Sequence, residues 1–173
     1  MTSLVARMLP TEFLQDLGVF MQTAAHTELA VWQCMMAAEG LDSDSAVEHR
    51  KFIEIKLNTK SFRSRVRESA KVLPEALRTP FLEICDKLDG MSEVRNLAAH
   101  GAFFRDEDKV GTLGAAHYFI RRIEGSKTIF EVQQSFRRDE VKDIISEADE
   151  LLRSAVRLRS EIHLWRDGGG VLP

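Results

Sequence analysis

With 173 residues, 44% of them hydrophobic and 29% charged, the chain is long enough for one domain with a real core and too short for two comfortable ones. Ten Gly and four Pro leave a composition rich in helix formers, which argues against disorder outside the ends. A net charge of -3 and a pI near 6.0 exclude generic coating of polyanions, so any nucleic-acid contact must come from a local patch.

The two cysteines, Cys34 and Cys85, fall inside apolar helical pattern, and no short Cys/His spacing is suited to zinc. We therefore expect no metal, no cofactor and a reduced, cytoplasmic setting. Residues Met1 to Arg7 lack a charged leader before a long apolar run, and no charge-free stretch approaches a bilayer span, so neither secretion nor membrane insertion is expected.

In chain order, Thr11, following Pro10, is expected to cap a long helix to about Glu39, with Gly40 as its stop. Its apolar stripe is Leu14, Leu17, Met21, Ala24, Val31 and Met35, flanked by Phe20 and Trp32. Glu28 falls within that stripe, and a carboxylate facing a core needs a partner. Either it forms a structural ion pair or it supports Arg95 or His100 from behind. A second helix is expected from Ala46 to about Leu57 and a third from about Ser61 to Leu73. Between Arg50 and Lys71 eight basic residues face two acids, and Lys60, Arg63 and Arg67 make the best phosphate-facing candidates; the alternative is a solvated helix face.

Pro74 ends that segment, and Thr79-Pro80 reads as a cap followed by proline at the first helical position. Phe81, Ile84, Cys85 and Leu88 mark the buried side of this helix, with a hitch at Asp89-Gly90 before the pattern resumes through Val94. After Gly101 the period changes. Strand-like runs at Ala116 to Ile123 and Thr128 to Phe136 flank the turn residues 124–127, a hairpin inserted at about 110–136. His117, near its start, reads as a surface or packing residue. A last helix from about Arg138 to Trp165 carries a continuous apolar stripe, acidic in its first half and basic in its second. Residues 166–173 are expected to be a flexible tail.

One stretch carries chemistry: Glu93-Val94-Arg95-Asn96-Leu97-Ala98-Ala99-His100-Gly101. Asn96 and His100 are four apart and share a helix face, and Arg95 can swing its guanidinium toward them past Ala98 and Ala99. Gly101 is expected to stop the helix in the left-handed conformation, leaving His100 in the last turn, where the dipole favours the imidazolium. An imidazole that titrates near neutrality beside a fixed guanidinium suits phosphodiester chemistry. A plain structural role, Arg95 bridging a carboxylate and His100 capping the helix, is the alternative.

Arg95, Asn96, His100 and Gly101 together resemble the signature of the HEPN superfamily. An Arg and a His at this spacing recur by chance about half the time in a chain this rich in Arg, but adding Asn after the Arg and Gly after the His lowers the expectation to the order of 10⁻⁴ to 10⁻³. The resemblance implies an all-α fold: a single HEPN-like antiparallel helical bundle over 1–173, with the small hairpin inserted before the last helix. It further implies a metal-independent endoribonuclease that cleaves single-stranded RNA at a composite site in a homodimer, with a toxin or defence role and a regulatory or antitoxin partner. Arg95 would then stabilise the phosphate, Asn96 hold His100 or a phosphate oxygen, and His100 transfer protons. In toxins regulated by a nucleotidyltransferase a Tyr follows two residues after the His, whereas this chain has Ala102, so that mode of regulation is not expected. A non-catalytic nucleotide- or partner-binding module is the other expectation.

Overall fold

A computed structural model describes residues 3–41, 44–56, 59–105, 112–123 and 126–169. In order these form α1 (Leu4–Met8), α2 (Thr11–Glu39), α3 (Ala46–Lys56), α4 (Thr59–Ser69), α5 (Glu75–Gly90), α6 (Ser92–His100), β1 (Ala102–Arg105), β2 (Thr112–Ile123), β3 (Ser126–Arg137) and α7 (Arg138–Asp167), with a 3₁₀ turn at Ala70–Val72. The protein is mostly helical with one small antiparallel sheet. Among the described residues no helix is long and apolar enough to cross a membrane.

The residues group into two compact units, Met1–Gln22 with Ser92–Ala148, and Thr23–Met91 with Asp149–Pro173. In the second unit the C-terminal half of α2 is buried almost all round, from Ala30 through Ala38, and meets Phe62, Val66, Phe81, Ile84, Leu151, Leu158 and Ile162. Trp32, expected to flank the stripe, is instead at its centre, with ring centroids 5.5 Å from Phe52 and 6.3 Å from Phe62. Such rings bury large apolar area, and their pairing adds to what the area alone contributes. Cys34 donates its thiol hydrogen to the Ala155 carbonyl at 3.3 Å, joining α2 to α7. Helix α2 stops at Gly40, whose φ of +67° only glycine adopts readily. The Leu41 N–H donates to the Met36 carbonyl at 2.9 Å and the Gly40 N–H to Ala37 at 3.1 Å, which satisfies carbonyls the helix end would orphan.

The expected cap at Thr79-Pro80 is corrected: Pro74 stands before the first turn of α5, and Pro80 lies inside the helix. The Pro74 carbonyl already accepts from Leu77 and Arg78, so helix starts there, and Pro80 removes one later bond. The hitch expected at Asp89-Gly90 is a real break at Met91, which leaves the motif on the nine-residue α6.

In the first unit, Phe13 and Phe20, seven apart, are buried, whereas Leu14, Leu17 and Met21 are only half-buried. Phe13 packs with Leu9 and Leu113, and a second cluster joins Leu97, Ala115 and Phe136 over Phe103 and Val141. Among the described residues the sheet has three strands rather than the expected two, in the order β1-β2-β3. β1 was hidden because Ala102 to Arg105 is too short to show alternation. The two long strands pair from Thr112 with Arg137 to Ile123 with Ser126, longer than the expected runs; Glu124 and Gly125 of the expected turn lie outside the described residues. Phe104 lies over Gly114, its register partner, and its ring occupies the space that a side chain at that position would take. α7 extends to Asp167, into the stretch expected as tail, and Gly170 to Pro173 lie outside the described residues.

Candidate active site at the end of helix α6

Helix α6 buries a single residue, Leu97, and uses it to fasten the motif to Ala115 and Phe136 of the sheet. Arg95 is half-buried, and Asn96 and His100 are exposed. Five residues apart, Arg95 and His100 stem from different sides of the helix. The guanidinium nevertheless turns toward the shared face of Asn96 and His100: Arg95 Nη2 donates to Asn96 Oδ1 at 3.4 Å, a long and therefore weak bond. Burial pushes the Arg95 pKa below its ordinary value, because a cation loses favourable hydration there.

Gly101 does not act as expected. It is not in the left-handed region, which among the described glycines holds only Gly40 and Gly169. Its need is spatial: its N–H donates to the Leu97 carbonyl at 2.7 Å, and a Cβ would stand 2.5 Å from that oxygen. The chain passes from α6 into β1 through a space that only hydrogen fits.

The feature that sequence reasoning missed is His117. Ala102 pairs with Ala116 across β1 and β2, so the next residue of β2 falls beside the end of α6. The His100 and His117 rings lie 6.1 Å apart between centroids and 25° from parallel. On β2, Leu113, Ala115 and His117 share one face, the first two buried and His117 half-buried, while Tyr118 on the other face is exposed and donates to Glu131 at 2.9 Å. The alternation was legible; the register that makes it matter was not.

The other expected residues belong to the second unit. Glu28 is 6% exposed and engaged by a polar or charged neighbour, as a buried carboxylate requires. Lys60 is exposed. Arg63 Nε pairs with Asp89 Oδ1 at 2.5 Å, and Arg67 Nη2 pairs with Asp86 Oδ1 and Asp89 Oδ2, both at 2.7 Å. Arg65 pairs with Glu39 and Lys71 with Glu68. The local excess of positive charge seen between Arg50 and Lys71 is thus largely met by carboxylates, some of them from α2 and α5. Among the described residues no three His, Cys, Asp or Glu side chains gather where they could hold a metal ion.

Beside α6 an apolar groove is lined by Phe13, Leu17, Val94, Leu97, Ala98 and Ile144, with Asp16 its charged residue. Comparison with family models, with curated proteins and with solved structures gives no match, so the HEPN resemblance rests on Arg95, Asn96, His100 and Gly101 themselves.

Proposed function

We propose that the protein is a metal-independent endoribonuclease of HEPN type, a helical bundle carrying a small sheet, that cleaves single-stranded RNA by attack of the substrate's own 2′-hydroxyl. The observation that carries this is the turn of the Arg95 guanidinium onto Asn96, on the helix face that ends in the exposed His100. A phosphate seated there meets a cation that is already partly desolvated, which strengthens its pull on the charge of a phosphorane. Asn96 faces the guanidinium and holds His100 or a phosphate oxygen, and His100 transfers a proton within hydrogen-bond reach of the phosphate. A toxin or defence role, with a regulatory or antitoxin partner, follows from the resemblance. So does a homodimer, for which the apolar groove beside α6 is the surface we assign.

Purified protein is expected to cut single-stranded RNA in the presence of chelator, leaving a 2′,3′-cyclic phosphate or its 3′-phosphate product. DNA, which lacks the 2′-hydroxyl, should survive. His100→Ala should slow cleavage by roughly 10²-fold or more. Cleavage that needs added magnesium, or persists in His100→Ala, would remove the mechanism. In that case the groove beside α6 favours a non-catalytic nucleotide- or partner-binding module, in which Arg95 and His100 only shape the surface.

A further inference from the structure

We propose that His117 is the second proton-transfer group of this site, so that one chain holds both imidazoles that RNA cleavage needs. The assignment rests on the ribonuclease reading and goes beyond it, since the motif itself supplies only His100. Transfer to the 2′-oxygen without a metal requires two proton movements, one away from the nucleophile and one onto the leaving oxygen. Two copies of the motif would supply them across a dimer; the fold supplies them without one.

Three observations carry the assignment. The ring centroids stand 6.1 Å apart and 25° from parallel, a separation on the scale of one phosphodiester, so a single phosphodiester laid against the ring edges meets both imidazoles. His100 ends a helix fastened by Leu97, and His117 sits in a ladder fixed by the Ala102–Ala116 and Phe104–Gly114 pairs, so both rings stand on rigid elements. His100 is exposed and His117 half-buried at the margin of a buried face, where a strand serving only the core would carry an apolar side chain.

The steps balance. One imidazole, neutral, takes the 2′-hydroxyl proton as the O2′–P bond forms, and Arg95 faces the charge gathering on the phosphorane. As the P–O5′ bond breaks, the other imidazole, protonated, gives its proton to O5′. The products are a 2′,3′-cyclic phosphate and a 5′-hydroxyl, and the two rings have exchanged protonation states. Water then opens the cyclic ester with the roles reversed, which restores both.

The test compares His117→Gln, His117→Ala and His100→Ala in the full chain. Its substrates are a single-stranded RNA and a uridine 3′-aryl phosphodiester whose leaving group needs no proton. On RNA each variant should be slowed about 10²-fold with helical circular dichroism unchanged. On the aryl ester the variant lacking the general acid should return to near the parent rate, and the variant lacking the general base should stay slow. His117→Gln guards against a packing loss in His117→Ala. If the His117 variants cut RNA like the parent while His100→Ala is slow, this inference fails and the ribonuclease reading stands. If His100→Ala also cuts like the parent, both fail. Equal slowing of all variants on both substrates overturns the division of roles. Restored activity on mixing His100→Ala with His117→Gln chains would show the pair forming between copies, which overturns the one-chain assignment.

Discussion

Arg95 carries two demands at once. Half-buried, it has lost part of its hydration, and its pKa is lowered by that burial, yet it turns toward Asn96 rather than outward. Arg95→Ala is therefore expected to lose cleavage about as severely as His100→Ala while keeping the helical circular dichroism of the parent. Arg95→Lys should not rescue it, because an ammonium cannot present the planar fork; rate measurements with both variants decide this. The two thiols make a contrasting case in the other unit. Burial pushes Cys34 and Cys85 up to about 12 from 9.0. Below pH 9 both states keep these protons, so the thiols add no pH dependence; between 9 and 12 the unfolded chain releases protons that the folded chain retains. Stability should fall as pH climbs through that window. Denaturant midpoints should fall less steeply with pH in Cys34→Ala than in the parent, and equal slopes would contradict the buried state of the thiol.

At the scale of elements, the proposed site lies where α6 ends and β1 begins. Gly101 holds that junction because its missing side chain lets the backbone approach the Leu97 carbonyl. Gly101→Ala puts a Cβ against backbone, which cannot swing aside as a flexible side chain would, so a cost of roughly 1–3 kcal/mol is expected in urea unfolding. The rate of RNA cleavage should fall by more than the unfolded fraction explains, since the shift moves His100 relative to β2. A parent rate in the surviving folded protein would show that the junction does not position the imidazole. Register has the same importance. A slip of one residue between β1 and β2 would turn His117 to the Tyr118 side of the sheet, and Gly114 beneath Phe104 is one of the features that pin it.

For the whole molecule, the proposed affinity for RNA depends on which charges are still available. Substituting Lys60, Arg63 and Arg67 together removes three cations, but two of them already hold Asp86 and Asp89. Three full phosphate contacts on a single strand would change the slope of log K against log salt by about 2, and one contact by about 0.7. We expect the smaller figure, carried by Lys60, with loss of affinity at every RNA sequence and reduced thermal stability from the broken ion pairs. Salt titrations of filter or fluorescence binding distinguish the two. Light scattering at micromolar concentration should show a dimer through the apolar groove beside α6, and Leu17→Asp within that groove should give a monomer. A monomeric parent would remove the dimer while leaving the pairing of His100 with His117 to be tested on its own.

The sequence by itself determined what depends on near neighbours. The apolar period from Thr11 to Glu39, the glycine at 40 and the stripe of the last helix each encode a local geometry, and the helices begin and end close to where those signals put them. The Arg95-Asn96-His100 constellation was likewise legible because helical spacing alone puts Asn96 and His100 on one face. What only the tertiary structure decided is what distant segments do to one another. Arg63 and Arg67 read as phosphate contacts until α5 brought Asp86 and Asp89 to them. His117 read as a surface or packing residue until a four-residue strand, too short for any period, fixed the register that sets it beside His100. Local patterns are written in the chain because their free energy is spent within a few residues. Register and charge pairing are settled only when loops close, and nothing in the spacing of either segment records the other.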